Sequence, residues 1–197
     1  MYQLPVSVKI GGRDFRIREQ GDYRMVLDCM SALEDVELDE TERLISCLII
    51  FYEDINSIDD LDKFPDLETA IKEMSRFFNL GQDEKPGLKS KYKLIDYEKD
   101  EQLICSAVNN VAGFEIRTVP YCHWWTFMGY YMAIGESTLS TIVGIRHKIA
   151  THEKLEKYEQ KFKNENPQYF TIDYRTTGEK ELTEEFLREI WNKNKKK

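Results

Sequence analysis

No run of apolar residues in this 197-residue chain reaches the length of about 20 that a bilayer-spanning helix needs. The N-terminus carries no apolar core resembling a signal peptide, so the expected location is the cytoplasm and no membrane partner is expected. Cysteine is sparse: Cys29, Cys47, Cys105 and Cys122 lie far apart, and none belongs to a C-x-x-C pair. The first three fall among apolar neighbours in expected helices, where a free thiol behaves as a small hydrophobe. The three histidines, His123, His147 and His152, make no H-E-x-x-H pattern. Cys122, His123 and His147 lack the spacing of a zinc set, so no metal and no cofactor is expected.

Phosphate-binding and nucleophile motifs are missing as well. There is no G-x-x-x-x-G-K-[ST], no G-x-G-x-x-G and no G-x-S-x-G. Asp66 with Asp83-Glu84-Lys85 superficially resembles a metal-dependent nuclease, but Asp66 reads as a helix cap and the triplet sits among helix breakers. Asp59, Asp60 and Asp62 lack the ligand spacing and central glycine of a calcium loop. His123, beside two tryptophans, has no visible nucleophile or carboxylate partner. It reads as a buried histidine hydrogen-bonded to its surroundings, and the catalytic list is empty.

A basic excess is absent too. Net charge is -8, and residues 34–101 alone hold 20 Asp+Glu against 9 Lys+Arg. That balance disfavours binding to a phosphate backbone, so no nucleic-acid partner is expected.

What remains is the composition of a globular chain, 41% hydrophobic and 12% aromatic. Its pattern predicts a mainly α fold, a helical domain with a small N-terminal β-hairpin. Val6, Val8 and Ile10 alternate with polar residues, Gly11-Gly12 supplies a two-residue turn, and Phe15 and Ile17 resume the alternation. A helix should start after Asp22 with Tyr23, Val26, Leu27, Met30 and Leu33 on its apolar face. A second should start at Asp39, with Glu42 completing a capping box. Glu53 to Asp66 reads as an acidic loop with a short turn near Asp59. A third helix is expected from Leu67 to Leu80, capped by Asp66 and closed by Gly81. Residues 81–93 read as a linker or mobile loop, and a fourth helix as Asp96 to Ala112.

Tyr121 to Ile149 is the most distinctive stretch. An aromatic helix entered near Thr118 or Val119 would carry Trp124, Trp125, Phe127, Met128, Tyr130, Tyr131 and Met132. Neighbours on a helix point about 100° apart, so these rings cover several sides. Such a helix is central in the core or covered by another chain. Ser137 caps the next helix. From Thr151 a polar helix to about Phe162 is expected, then a short strand at Tyr169–Tyr174 and a final amphipathic helix carrying Phe186, Leu187, Ile190 and Trp191. The domain reading is therefore 1–150, with 151–197 as an extension.

Three segments carry a family resemblance. Asp96-Tyr97-Glu98-Lys99-Asp100 followed by Leu103-Ile104, then His123-Trp124-Trp125-Thr126-Phe127, then Ile142-Val143-Gly144-Ile145-Arg146, resemble the bacteriophage gene-product-fifteen family of small tail-region proteins. Its members share Y-x-x-D-x-x-L-I, H-W-W-x-F and I-x-x-I-R segments, and Leu4-Pro5 before a hairpin looks like the same family. The resemblance spans roughly residues 3–165. It implies a gene placed just before that of the tail tape-measure protein, and a tail-assembly chaperone in the host cytoplasm that coats this long helical client. Partners would be the tape-measure protein or other phage tail proteins, with self-association into a homo-oligomer, and no catalytic residue is implied. Trp124, Trp125, Phe127, Tyr130, Tyr131 and Trp191 are the expected partner-binding residues. The rival readings are a virion structural part, such as a tail-completion or connector protein, and an acidic inhibitor of a host protein.

Overall fold

The computed structural model describes residues 3–83 and 92–172. In chain order these hold β1 (Ser7–Ile10), β2 (Arg13–Arg16), α1 (Tyr23–Glu34), α2 (Glu40–Phe51), α3 (Leu67–Phe78), α4 (Glu101–Ala112), α5 (Trp124–Met132), α6 (Thr138–Ala150) and α7 (Lys157–Glu165). The fold is mainly α with one small hairpin, as the pattern predicts. Of the described residues, one compact unit holds the chain through 83 together with Tyr121–Trp125, and the other holds 92–120 and 126–172. This division falls within the 1–150 span, and residues 151–172 belong with α4 and α6. The 173–197 part of the expected extension, including the Trp191 helix, lies outside the described residues. So does most of the 81–93 loop.

In the first unit, β1 and β2 pair antiparallel with Val8 opposite Phe15 and Ile10 opposite Arg13. Gly11 and Gly12 both take positive φ, 55° and 83°, which is what a primed two-residue turn demands. Phe15 is buried against Phe64, ring centroids 5.0 Å apart, and against the edge of Tyr52. A lone hairpin is marginal in water, and this aromatic cluster gives it a core to rest on.

The helix starts follow their caps. The Asp22 carboxylate accepts the Arg24 N–H, Asp39 and Glu42 form a reciprocal capping box, and Asp66 accepts the Glu68 N–H. Each such cap contributes about 1 kcal/mol. At the far end of α2 the Arg18 guanidinium donates to the carbonyls of Ile49, Ile50, Tyr52 and Ile55. One side chain thus satisfies orphan acceptors of the last turn and adds positive charge where the helix dipole favours it.

The inward side of α1 departs from expectation. Met25 and Cys29 are buried with Tyr23 and Val26, while Leu27, Met30 and Leu33 are only half-buried. The reason lies in α2 and α3: Cys29 Sγ lies 3.8 Å from the Cys47 carbonyl of α2, and Cys47 Sγ lies 3.6 Å from Met74 Sδ of α3. This contact turns the Met25–Cys29 side of α1 inward. A hydrogen bond with the Cys47 thiol, and then burial, push the Cys29 thiol far up, so it stays protonated.

In the second unit α4 packs on α6. α4 starts at Glu101, five residues later than expected, because Asp96 to Asp100 form their own turn. The Asp100 N–H donates to the Asp96 carbonyl, and the Asp96 N–H to the Asp100 carboxylate. Ser137 caps α6 in a capping box with Ser140. α7 starts at Lys157 and not at Thr151, since Glu156 and Glu159 form a capping box there. Glu159, expected on a solvated face, is buried and paired with Lys148 at 2.7 Å. Tyr169 and Phe170 lie in a 3-10 turn, Pro167–Phe170, and not in a strand. No helix among the described residues is long and apolar enough to cross a membrane.

Candidate functional site

The aromatic helix begins at Trp124, six residues after Thr118, and the reason is a long-range tie. Residues 121–123 are held against the start of α1, where Asp22 and His123 form an antiparallel bridge. The Tyr23 N–H donates to the Cys122 carbonyl at 2.9 Å, and the Cys122 N–H to the Asp22 carboxylate at 2.8 Å. Backbone committed to those bonds cannot join a helix. Ile116–Thr118 form a separate 3-10 turn upstream.

His123 is the hub. Its Nδ1 accepts the Trp125 N–H at 3.0 Å, which makes it the N-cap of α5. Its Nε2 lies 3.0 Å from the Pro5 carbonyl, an acceptor only, so the proton sits on Nε2 and the ring is neutral. Burial lowers the His123 pKa from its ordinary value, against the raising effect of the Pro5 carbonyl and of Asp22. The ring also packs edge-on to Phe77. The sequence reading of a buried, hydrogen-bonded histidine agrees with this geometry.

A left-handed turn makes room for that ring. Glu19, Gln20 and Gly21 take φ of 50°, 53° and 80° in succession. A Cβ on Gly21 would lie 2.8 Å from Phe77 and 3.1 Å from His123, so only glycine fits. The Tyr121 hydroxyl donates to the Gln20 carbonyl and braces the turn.

The two indoles close α3. Trp124 Nε1 donates to the Phe78 carbonyl at 3.0 Å and Trp125 Nε1 to the Phe77 carbonyl at 2.9 Å. These carbonyls belong to the last turn of α3, where intrahelical donors run out, though that of Phe77 also accepts the Leu80 N–H. One short motif therefore starts one helix and finishes another.

The expected partner-binding residues divide accordingly. Trp124 and Phe127 are each buried, at 2% exposure, and present no surface. Trp125 is half-buried, with its indole N–H already used. Tyr131 is half-buried, and burial pushes its phenol up to about 12. Tyr130 is also half-buried and meets Phe114 edge-on, centroids 6.1 Å apart. Trp191 lies outside the described residues.

A second constellation was not paired in the sequence. Asp100 and Arg146, both buried, form a two-pronged ion pair, with Nη2 at 2.9 Å from Oδ1 and Nη1 at 2.5 Å from Oδ2. Arg146 also donates to the carbonyls of Leu94 and Tyr169. The signal available was Arg146 at helical spacing from Ile142 and Ile149, a charge on an apolar side that needs a partner of opposite sign. Among the described residues no three His, Cys, Asp or Glu side chains converge as a metal site would require.

These two constellations use the H-W-W-x-F segment, the aspartate of Y-x-x-D and the arginine of I-x-x-I-R. The family model described as Bacteriophage Gp15 protein matches residues 1–170. The chain belongs to that family. No curated protein and no solved structure matches it. In this Gp15 protein the motif residues thus hold the fold together, and surfaces for partners are to be sought beside them.

Proposed function

We propose that this Gp15 protein is a non-catalytic tail-assembly chaperone that holds the tape-measure protein in the host cytoplasm until tail-tube subunits replace it. Family membership makes it a phage protein. The observation that carries the finer reading is a surface in the first unit. Leu4 and Val6, on either side of Pro5, and Tyr121 are exposed at 44%, 46% and 44%. They are gathered by the bonds from His123 to the Pro5 carbonyl, from the Ile17 N–H to the Val6 carbonyl and from Tyr121 to the Gln20 carbonyl.

Two aliphatic side chains and a phenol on a rigid support suit the apolar stripe of an amphipathic helix laid across them. Aromatic residues anchor such contacts at low entropic cost. The grip expected of Trp124 and Phe127 passes to these neighbours, which their motif positions.

Co-expression with the tape-measure protein tests the reading. The proposal expects the client to co-purify with this chain, and Tyr121→Glu to reduce the yield of complex without loss of helix content. Protein mass spectrometry of finished particles supplies the second arm. Absence of the chain from particles agrees with a chaperone, whereas stoichiometric retention makes it a structural part.

A further inference from the structure

α1 carries apolar residues on more than its inward side. Leu27, Met30 and Leu33 recur every third residue and stay half-buried, while Met25 and Cys29 are fully buried. Val36, just past the end of the helix, is exposed at 84%. The ground around this strip is acidic. Residues 25–42 hold seven Asp+Glu and no Lys or Arg, and Glu37, Asp39 and Glu42 are exposed. An apolar strip bordered by that charge suits an occupant that is apolar along one side and basic at one end.

The chain contains such a segment. Phe186, Leu187, Ile190 and Trp191 recur at helical spacing, and Lys193, Lys195, Lys196 and Lys197 follow, with no acidic residue after Glu189. No other five consecutive residues hold as many bases. Residues 173–182 separate this segment from Ile172 and can reach over about 33 Å when extended. Covalent attachment raises its effective concentration to the order of millimolar, which sets it ahead of the same segment on a second copy.

We infer that the Leu27, Met30 and Leu33 side of α1 is the docking surface for the chain's own residues 183–197. Phe186, Leu187, Ile190 and Trp191 lie on the apolar strip, and the lysines meet the acidic turn between α1 and α2. That turn follows the C-terminal end of α1, so the segment runs parallel to the helix. Trp191 then works within the chain and not on the client. This inference does not rest on the chaperone reading, whose proposed contact is the Leu4–Val6–Tyr121 surface.

Carbodiimide crosslinking of the full chain at low concentration, read by peptide mass spectrometry, is the test. The reagent joins a carboxylate to an amine where the two touch. Links are expected within the monomer from the lysines of 193–197 to Glu34, Asp35 or Glu37. Ile190→Glu/Trp191→Glu keeps every lysine, yet should lower their yield by about tenfold or more, since a charge buried on an apolar strip is costly. Met30→Glu should act in the same way from the other side. Circular dichroism verifies that the variants fold, and Ile190→Ser/Trp191→Ser serves if the charged pair does not. Absence of these links from the wild type would overturn the inference. Equal yields in the double variant would too, leaving a tail drawn by charge alone. Links found only between two chains, rising with concentration, would make a second copy the occupant instead. Missing links together with loss of tape-measure capture by Met30→Glu would give the strip to the client.

Discussion

Asp100 and Arg146, 46 residues apart in sequence, meet as a fully buried ion pair whose guanidinium also reaches the Leu94 and Tyr169 carbonyls. Arg146 thereby ties the chain before α4 and the turn after α7 to α6. Removing one partner strands a buried charge. Asp100→Leu and Arg146→Met are each expected to cost about 3–5 kcal/mol. Combining Asp100→Leu with Arg146→Met should cost clearly less than the two single losses added together. Urea denaturation of the four proteins provides the check.

His123 predicts a pH dependence with a definite sign. Its folded pKa lies below the ordinary value because of burial. The unfolded chain therefore binds the proton more readily, and stability rises with pH. The contribution is fully present above about 6.5, the unfolded value, and is lost as pH falls through the folded one. Protonation at Nδ1 would set an N–H against the Trp125 N–H and remove the α5 cap. Thermal melts from pH 7.5 to 5 should show a falling midpoint for the wild type and a flatter one for His123→Asn, since asparagine caps without titrating. Carboxylates held below their usual range, such as Glu159 beside Lys148, lose their contribution only at lower pH.

Gly21 and Gly113 provide a matched comparison. Both have φ near +80°, but a Cβ on Gly21 collides with Phe77 and His123 while one on Gly113 meets nothing. Gly113→Ala should cost about 1–2 kcal/mol, the strain of a left-handed residue alone. Gly21→Ala should cost more, about 3 kcal/mol, and should also blunt the pH dependence if it displaces the His123 ring. Equal losses in denaturant would contradict the close packing described around His123.

Much of the local structure was legible in the sequence because its causes are local. The Gly11-Gly12 turn, the caps at Asp22, Asp39, Asp66 and Ser137, and the short turn near Asp59 all stand where the pattern places them. What was not legible depends on distant residues. α5 starts late because Asp22, a hundred residues earlier, holds Cys122 in a bridge. The inward side of α1 is set by Cys47 and Met74 on other helices, and the Asp100 turn by Arg146. For the candidate site, H-W-W-x-F stood out, but its rings suggested a gripping surface when two of them seal the core. For Trp124 the indole N–H explains the difference. Once buried, Trp124 needs an acceptor for its N–H, and the Phe78 carbonyl at the end of α3 supplies it.

Trp125→Phe keeps an aromatic ring, smaller than the indole, and deletes the bond to the Phe77 carbonyl. It should cost about 1 kcal/mol of stability and leave client capture unchanged. Loss of capture in a variant that stays folded would return Trp125 to the partner-binding surface.

The central claim is that the motif residues build a support and that the side chains beside it hold the client. Co-elution of the tape-measure protein with wild type, with Trp125→Phe and with a Val6→Glu/Tyr121→Glu double variant, all verified as folded, tests this most directly. The account predicts that the complex forms with the first two and is lost with the third. Undiminished complex with the double variant would contradict it.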